Sequence, residues 1–559
     1  MIRYFEKGHT KKSIESICIL IMLAVIAAVT VFPHMSYGIH CFYPDMVYHM
    51  LRIESVKEAL LAGSYPARVN PIFFNGYGYG SSLFYPDIML VIPALMRIVG
   101  LSPVVTMKFF MTLLAAAGTC TTYWSFRYIS GNWKYSCAGT YLLMLSQFYL
   151  ADLNNRSGVS EYMACIFVPV LLAGIYDYFA KEGKKVYLLG IAFEGLILSH
   201  VLMTVGGLVI TTAIFLVMLF VPSKRKVLFE KQRFTRLIVT AVLSVIAVAY
   251  YIFPMLEQML NDEFAYKYPW TQIGDMTQSF ASFFNATGVF ELTTSVGIGI
   301  PIIILLGYRP VLGKAQNKWA DFFMLGGLMI FLGTTDLIPW KLLERTFFNM
   351  FQFTYRFYPY ALCCTVLGIV LYLSEKCSHQ AKRLTVGIVI ISVAFGIWQN
   401  NVSVSDSAKC GISYETLINS TTYVGQGEWL PAELGDMGTP YTVQGPDGEQ
   451  ELLVQGYNRY SFFKDDNIGG AYEIPLIFYK GYKADMILEN GSSVKLEVNE
   501  NDDCFVEVLI PDELSGTVEI RYAGTTVQNI SNMVSLITVL SIIGYSIKKR
   551  IDRKNLCRE

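Results

Sequence analysis

Long hydrophobic runs alternate with short polar segments along most of the chain. Runs near twenty residues, such as 14–33 and 201–221, have the length a helix needs to cross the hydrocarbon core of a bilayer. The pattern predicts about twelve spans of this kind, at 14–33, 104–126, 135–151, 160–180, 185–199, 201–221, 236–256, 286–307, 319–335, 357–374, 383–399 and 529–547. We therefore expect a polytopic α-helical membrane protein.

Clusters of lysine and arginine set the predicted orientation, because cytoplasmic loops carry an excess of these residues. Such clusters lie at 7–12, 181–185, 224–236, 309–318, 376–383 and 548–554. They place both termini in the cytoplasm. Counting LFYPDIMLVIPALMRIVG, residues 83–100, as a further span would move the cluster at 181–185 outside. This segment is therefore predicted to be a re-entrant or juxtamembrane helix at the outer face.

Two long segments remain outside the membrane in this threading. The first is a loop over residues 34–103, within a transmembrane domain of residues 1–399. The second, residues 400–528, contains short alternating stretches such as SVKLEVNE, CFVEVLIP and TVEIRYAG, which predict a small extracytoplasmic β-sandwich. Residues 529–559 then form a last span and a basic cytoplasmic tail. Cys410 and Cys504 could pair in the external domain or stay as thiols, and the sequence leaves this open.

The composition supports the assignment as a membrane protein and limits the classes of partner that the chain is expected to bind. Of 559 residues, 53% are hydrophobic and only 16% are charged, whereas soluble domains carry about 25% charge. The 44 basic residues equal the 44 acidic ones, so net charge points to no nucleic-acid partner. The chain has no dense Asp/Glu cluster that would force a divalent metal, and we assign no metal and no cofactor.

Unusual polar residues collect at the predicted outer face. Ionisable groups at membrane depth cost several kcal/mol unless they are paired or wetted, so they tend to line cavities. Four segments contribute: the first external loop, DLNNRSGVSEY, the hairpin near Ser199, and NMFQFTYRFYPY. Their polar residues include Asp45, His49, Arg52, Arg68, Asp87, Arg156, Glu161, His200, Tyr355 and Arg356.

This set suits group transfer between an anionic lipid-linked donor and a hydroxyl acceptor. A carboxylate can take the acceptor proton, and arginines can stabilise charge on a leaving phosphate. Aromatic residues stack on sugars, and the glycine-rich stretch FFNGYGYGSSLFYP supplies Tyr77 and Tyr79. No Gly-Lys-Ser/Thr follows this stretch, so it is not a Walker loop.

Each residue also has a structural explanation. Asp45 and Arg52 could form an interfacial ion pair, and His49 or His200 could be a structural hydrogen-bonding residue. Glu161 could cap a helix or pair with Arg156, and Arg356 could extend to the interface. Only their co-location favours a functional interpretation.

The order of these motifs resembles a known family. It runs from an N-terminal span through Asp-x-x-x-His-x-x-Arg, YPARVNPIFFNGYGYGSSLFYPD, NNRSGVSEY and SH to FQFTYRFYPYA. This order is similar to the GT-C superfamily of integral membrane glycosyltransferases, and within it to the bacterial YfhO-like group and membrane proteins related to 6-pyruvoyl-tetrahydropterin synthase. The external IPLIFYKGYKADMILENGSSVKLEVNE also resembles the C-terminal β domain of that group.

The resemblance implies a polyprenyl-phosphate-linked sugar donor and assigns roles to the polar residues. Asp45 matches the essential acid of the first external loop and would be the catalytic base. Arg356, with Arg68 or Arg156, would hold the donor phosphate. His49, His200 and Glu161 would line the sugar and acceptor cavity; Arg52, Tyr77, Tyr79 and Tyr355 complete the predicted substrate-binding set.

The predicted function is therefore a membrane glycosyltransferase of the hexosyltransferase type in the plasma membrane. It would move a sugar at the extracytoplasmic face onto a cell-surface polymer or glycolipid. A transporter or flippase of lipid-linked saccharides and a non-catalytic cell-envelope assembly protein are the alternatives.

Overall fold

The computed structural model describes most of the chain. The described residues are 2–34, 39–40, 43–269, 271–284, 297–313, 315–376, 379–406, 409–410, 414–422, 424, 427–446, 448–465 and 468–556. Half of the predicted span 286–307, residues 286–296, lies outside them. By compactness the chain divides into two units, which are described separately. Unit one comprises residues 1–46, 102–241 and 270–413, and unit two comprises residues 47–101, 242–269 and 414–559.

Helices dominate the described chain. In order they are α1 Ile2–Val31, α2 Tyr43–Leu61, α3 Ser81–Phe84, α4 Val91–Ile98, α5 Pro103–Ser130, α6 Trp133–Met144, α7 Gln147–Asn154, α8 Val159–Cys165, α9 Val168–Ala180, α10 Tyr187–Ile197, α11 Val201–Phe220, α12 Pro222–Leu228, α13 Lys231–Ala247, α14 Ala249–Asn261, α15 Ile300–Tyr308, α16 Lys318–Gly333, α17 Tyr358–Glu375, α18 His379–Asp406, α19 Tyr414–Ile418 and α20 Thr526–Leu556.

Among the described residues, seven helical segments are long and apolar enough to cross a membrane, or up to eight with the bent pair α13–α14. The chain is therefore a multi-pass membrane protein, but the predicted number of twelve spans is not confirmed. Several predicted spans form shorter helices: α10 has 11 residues and α16 has 16. Residues 83–100 also form only short helices, of which α4 has eight residues.

Two spans in unit one are almost wholly enclosed by protein. The segment Val159–Ala180 is 89% buried and Thr354–Glu375 is 94% buried, whereas Thr526–Asp552 of unit two is only 11% buried. Glycines allow α16 and α17 to pack closely. A Cβ on Gly327 would lie 2.5 Å from the carbonyl oxygen of Ala361, and one on Gly368 would lie 2.6 Å from the amide nitrogen of Met324. The two enclosed spans therefore form the centre of unit one.

The strands fall into two sheets. A short pair in unit one joins β1 Ile39–His40 to β2 Lys409–Cys410. The C-terminal sheet in unit two consists of β3 Thr442–Gly445, β4 Gly448–Glu451, β5 Leu453–Gly456, β6 Arg459–Lys464, β7 Gly470–Ile477, β8 Tyr482–Leu488, β9 Ser493–Glu500, β10 Phe505–Ile510 and β11 Gly516–Tyr522. Its nine strands run in the order β4-β3-β7-β10-β9-β8-β11-β6-β5.

The structure confirms that the C-terminal domain consists mainly of β-strands. It does not confirm the predicted arrangement of these strands as a sandwich. Strand β9 pairs antiparallel with both β8 and β10, so the hydrogen-bonded ladder continues without a break through the middle of the domain. Alternating residues such as Tyr472, Met486 and Val506 are fully buried in its core.

A second apolar core in unit two links this sheet to residues 69–84. Ile477 and Phe505 of the sheet, and Tyr479 of the connection between β7 and β8, pack with Val69, Tyr77, Leu83, Phe84 and Phe264. This shared core explains why compactness groups residues 47–101 with the C-terminal region. The predicted domain boundary near residue 400 stays a prediction from sequence.

Candidate active site

Three charged side chains lie close together around the turn between α7 and α8. Helix α7 ends at Asn154, and α8 begins at Val159 with Glu161 in its first turn. Between them, Ser157 adopts a positive φ of 63°. A Cβ on Gly158 would lie 2.4 Å from Oδ1 of Asp152, so any larger residue there would displace this carboxyl group. The tight turn brings Asp152, Arg156 and Glu161 together.

Arg156 bridges the two acids. Its Nη1 lies 2.5 Å from Oε2 of Glu161 and 3.3 Å from Oδ1 of Asp152. Both carboxylates are almost fully buried, at 2% and 0% exposure. A buried charge is tolerated only when it is paired, so each acid depends on this arginine.

A second arginine approaches the same glutamate from the turn before α17. Nε of Arg356 lies 3.7 Å from Oε2 of Glu161. Its Nη1 donates to the carbonyl oxygen of Phe351 and to Oε1 of Gln352, the latter at 3.2 Å. Gln352 has φ 60° and ψ −41°, a sparsely populated conformation for a side chain-bearing residue. The backbone here holds the guanidinium at the cost of local strain.

Two stacked aromatic rings flank the arginines. The rings of Phe353 and Tyr355 stack with centroids 5.0 Å apart. The guanidinium carbon of Arg156 lies 5.1 Å from the Tyr355 ring, and that of Arg356 lies 5.2 Å from the Phe353 ring. Such cation–π contacts fix the guanidinium planes.

His200 and Asp45 lie within electrostatic reach of these groups. His200 is the N-cap of α11, where its Nδ1 accepts a hydrogen bond from the amide of Met203 at 3.3 Å, and its imidazole lies within electrostatic range of Glu161. Asp45 is half-buried in the first turn of α2. Burial opposes the charge of Arg156, but the surrounding acids, Asp45 among them, raise its pKa well above the ordinary value.

The two buried acids each retain an oxygen without a hydrogen-bond partner among the described residues. These atoms are Oδ2 of Asp152 and Oε1 of Glu161. Burial, followed by the charge of Glu161, raises the pKa of Asp152 well above its ordinary value. The guanidinium groups of Arg156 and Arg356 therefore share one buried cluster with the carboxyl groups of Asp152 and Glu161. Guanidinium groups held in this way can bind the oxygens of an anion such as a phosphate.

The structure thus brings together Asp45, Arg156, Glu161, His200, Tyr355 and Arg356 in unit one. Asp152 joins them, although the sequence argument did not single it out. Its spacing of four residues from Arg156 within DLNNR was the signal that could have revealed it. In the part of the chain described, no group of three or more His, Cys, Asp or Glu residues is arranged to hold a metal ion.

The remaining predicted site residues lie in unit two. Arg52 is fully buried and donates to the carbonyl oxygens of Tyr85 (3.0 Å) and Pro86 (2.9 Å), with its guanidinium 4.6 Å from the Tyr85 ring. These contacts tie α2 to the segment after α3. His49 is also buried, with its ring centroid 5.6 Å from that of Tyr48.

Tyr77 and Tyr79, predicted to stack on a sugar, are packed inside unit two. Tyr79 is fully buried and accepts a hydrogen bond from the amide of Trp429 at 3.2 Å. Tyr77 is 4% exposed, and its ring centroid is 5.6 Å from that of Phe505. A sugar could reach these rings only if the loop moved, and their role stays a prediction. Arg68 lines a separate cavity in unit two, which is described below.

Cys504 in unit two is a free thiol. It hydrogen-bonds to Glu500. The side chain of Cys410 lies outside the described residues.

Comparisons with known proteins give distant relatives. No protein-family model matches the chain. A protein of Lactococcus lactis subsp. cremoris (strain MG1363), itself named only as uncharacterized, is 22% identical over 612 residues, which cover 99% of this chain and 98% of that protein.

Three solved structures are similar at low scores. Mycobacterial arabinofuranosyltransferase AftD has a TM-score of 0.43 and 14% identity over 68% of this chain, which spans only 27% of AftD. ArnT from Cupriavidus metallidurans, solved bound to undecaprenyl phosphate, has a TM-score of 0.38 and 11% identity over 74% of this chain and 75% of ArnT. Arabinosyltransferase EmbB from Mycobacterium smegmatis has a TM-score of 0.33 and 9% identity over 91% of this chain and 65% of EmbB. Likenesses at this level carry no argument about this chain.

Proposed function

We propose that this chain is a GT-C-type membrane glycosyltransferase that moves a sugar from a polyprenyl-phosphate-linked donor onto a cell-surface polymer or glycolipid. The observation that carries the proposal is the buried cluster of Arg156, Arg356, Glu161 and Asp152 with Asp45 in electrostatic reach. The motif order that resembles GT-C enzymes supports it. We place the cluster and the β domain on the extracytoplasmic side and both termini in the cytoplasm.

In the proposed reaction Arg156 and Arg356 hold the phosphate of the donor. The bond between the anomeric carbon and the phosphate oxygen breaks, and the electron pair stays on the phosphate. The two guanidinium groups stabilise this developing charge. Their cation–π contacts with Phe353 and Tyr355 keep them oriented before the substrate arrives.

Asp45 takes the proton of the acceptor hydroxyl as the new bond forms between the acceptor oxygen and the anomeric carbon. Asp45 suits this role because it is only half-buried, whereas Asp152 and Glu161 are enclosed and committed to Arg156. Glu161 and His200 are proposed to position the arginines and line the sugar cavity. The roles predicted for His49 and Arg52 are retained as part of the proposal.

The test is an assay of the full-length protein with a panel of polyprenyl-phosphate sugars and an envelope extract as acceptor source. We expect sugar-dependent release of polyprenyl phosphate with at least one donor. Asp45→Asn should reduce this release by at least about 100-fold, because a missing general base costs roughly 10² to 10⁴ in rate. Glu58→Gln is the matched control, since it neutralises a surface-paired acid on the same helix.

The outcomes separate the candidate functions. An Asp45→Asn variant with full activity would refute the role of Asp45. Binding of a donor without release by the wild-type protein would favour the transporter or flippase alternative, because paired arginines can bind a phosphate without chemistry.

A further inference from the structure

Unit two contains a cavity of about 380 Å³ beside the start of α20. Its wall is formed by the segment before Val69, the turn between β5 and β6, the end of β11 and the first two turns of α20. Helix α20 continues as the candidate span Thr526–Asp552. The cavity therefore lies next to the residues at which a predicted membrane helix begins.

Three arginines line this cavity: Arg68, Arg459 and Arg521. Arg68 is 93% buried, and its Nη2 donates to the carbonyl oxygen of Tyr250 at 2.8 Å and to Oδ1 of Asn532 at 2.7 Å. Arg521 pairs with Asp485 at 2.8 Å. Neither Arg68 nor Arg459 forms an ion pair with any described carboxylate. The lining consequently carries a surplus of positive charge.

The same cavity is lined by amides whose oxygens lack a partner. Asn458 is 95% buried, and its Nδ2 donates to the carbonyl oxygen of Val69 at 2.7 Å, while Oδ1 has no partner among the described residues. Gln528 repeats this arrangement, because its Nε2 donates to the Tyr522 hydroxyl at 2.9 Å and Oε1 is unpartnered. Each nitrogen bond fixes the orientation of its amide and leaves the oxygen as a buried acceptor without a described donor.

The arginines and the amide oxygens favour different chemical groups, which one ligand can carry together. Unpaired guanidinium groups favour a phosphate, whereas buried amide oxygens favour hydroxyl groups that donate. The hydroxyl of Tyr65 is a third buried polar atom without a described partner, and it can either donate or accept. A phosphate ester that also carries free hydroxyls satisfies all of them.

We propose that this cavity binds a phosphorylated polyol, with Arg68 and Arg459 on the phosphate and Asn458 and Gln528 accepting from its hydroxyls. The proposal does not depend on the proposed glycosyltransferase activity. Two sources share this chemistry: the headgroup of a glycerol-bearing phospholipid at the membrane surface, and a soluble glycerol or sugar phosphate.

The test uses full-length protein in phosphatidylcholine nanodiscs, so that no glycerol headgroup is present. Binding of glycerol 3-phosphate is measured by calorimetry. In a second arm, nanodiscs with a mixture of phosphatidylglycerol and phosphatidylcholine are analysed for phosphatidylglycerol retained by the protein on extraction. Arg459→Gln should weaken whichever interaction is seen by at least about tenfold, as expected for a lost charge-assisted hydrogen bond.

The variants are chosen to stay folded. Arg459 is exposed, so its loss should not disturb the core. Gln528→Met removes the unpartnered oxygen at similar volume and should also weaken binding. Lys495→Gln is the matched control, because it removes an exposed charge from the same sheet away from the cavity.

Binding of the soluble probe supports the proposal with a soluble source, and selective retention of phosphatidylglycerol supports it with a lipid source. The proposal is overturned by binding in neither arm. It is equally overturned if Arg459→Gln binds like the wild type or if Lys495→Gln loses as much affinity.

Discussion

Arg156 contacts two buried acids and two stacked aromatic rings, so the geometry of the whole cluster depends on this side chain. A lysine would keep the positive charge. It would lose the planar guanidinium that bridges Asp152 and Glu161 and lies against Tyr355. Replacing Arg156 with lysine therefore tests whether the positive charge is sufficient or the planar guanidinium is required.

We expect Arg156→Lys to lower sugar transfer by about ten- to hundredfold, because a charge-assisted hydrogen bond contributes roughly 1.5–3 kcal/mol. Steady-state release of polyprenyl phosphate measures this, with thermal unfolding to show that the variant is folded. Arg225→Lys, at an exposed position on α12, is the control. Wild-type activity in Arg156→Lys would show that charge alone is needed.

The sequence predicted which side chains gather in unit one better than it predicted the contacts they make. Arg156, Glu161 and Arg356 were chosen because charged residues next to apolar runs need partners, and the structure supplies those partners. Asp152 was missed because an acid at the end of an apolar segment looks like an ordinary helix-end residue. Arg68 and Arg52 were grouped with them by order along the chain, which does not reveal that residues 47–101 fold with the C-terminal region.

Interruptions in the helices explain why the bounds of the spans were harder to predict than the residues of the candidate site. The predicted span 160–180 coincides with the candidate span Val159–Ala180, whereas the predicted span 135–151 divides into α6 and α7. Both α6 and α7 are mainly apolar, and hydrophobic periodicity therefore does not locate the break between them. The break between α7 and α8 is the one that positions Arg156.

Strands were easier to predict than spans, because the alternation of apolar and polar residues identifies a strand directly. SVKLEVNE was predicted as a strand and coincides with β9. Alternation shows which residues are buried, but it does not show which strands are neighbours. For this reason the continuous nine-stranded order was not foreseen.

Glu500, the last residue of β9, should make the stability of unit two depend on pH. Burial, together with Asp262 at the end of α14, raises the pKa of Glu500 to about 7. A carboxyl group with a raised pKa favours the folded state while it is protonated. This contribution is complete below the ordinary pKa near 4.5 and is lost as the pH rises through 7.

We expect Glu500→Gln to be as stable as the wild type near pH 5 and more stable at pH 8. The gain should be about 1 kcal/mol, because solvent screens a half-exposed group. Denaturant unfolding of the full-length protein between pH 5 and 8 measures the difference. Glu497→Gln on the exposed face of the same strand should follow the wild type, and parallel curves for Glu500→Gln would contradict the assignment.

Unit two is assembled from three separated parts of the chain, which changes how the β domain can be tested. From sequence, residues 400–528 look like an accessory domain whose removal would leave partial transfer. In the structure the β domain supplies Ile477, Tyr479 and Phe505 to a core that it shares with residues 47–101. Deleting the sheet would uncover that core, so loss of activity after deletion would not distinguish an enzyme from an assembly protein.

Point substitutions test this shared core directly. Phe505 is 3% exposed, and Phe505→Ala should destabilise the full-length protein by about 3–5 kcal/mol, the usual cost of removing a buried aromatic ring. Phe463→Ala removes the same ring from a position that is 54% exposed on β6, and its effect should stay within about 0.5 kcal/mol. Denaturant unfolding compares the two, and limited proteolysis locates the region that opens. If the β domain were independent of residues 47–101, proteolysis of Phe505→Ala would cut only within residues 442–522, whereas a shared core predicts cuts in residues 62–80 as well.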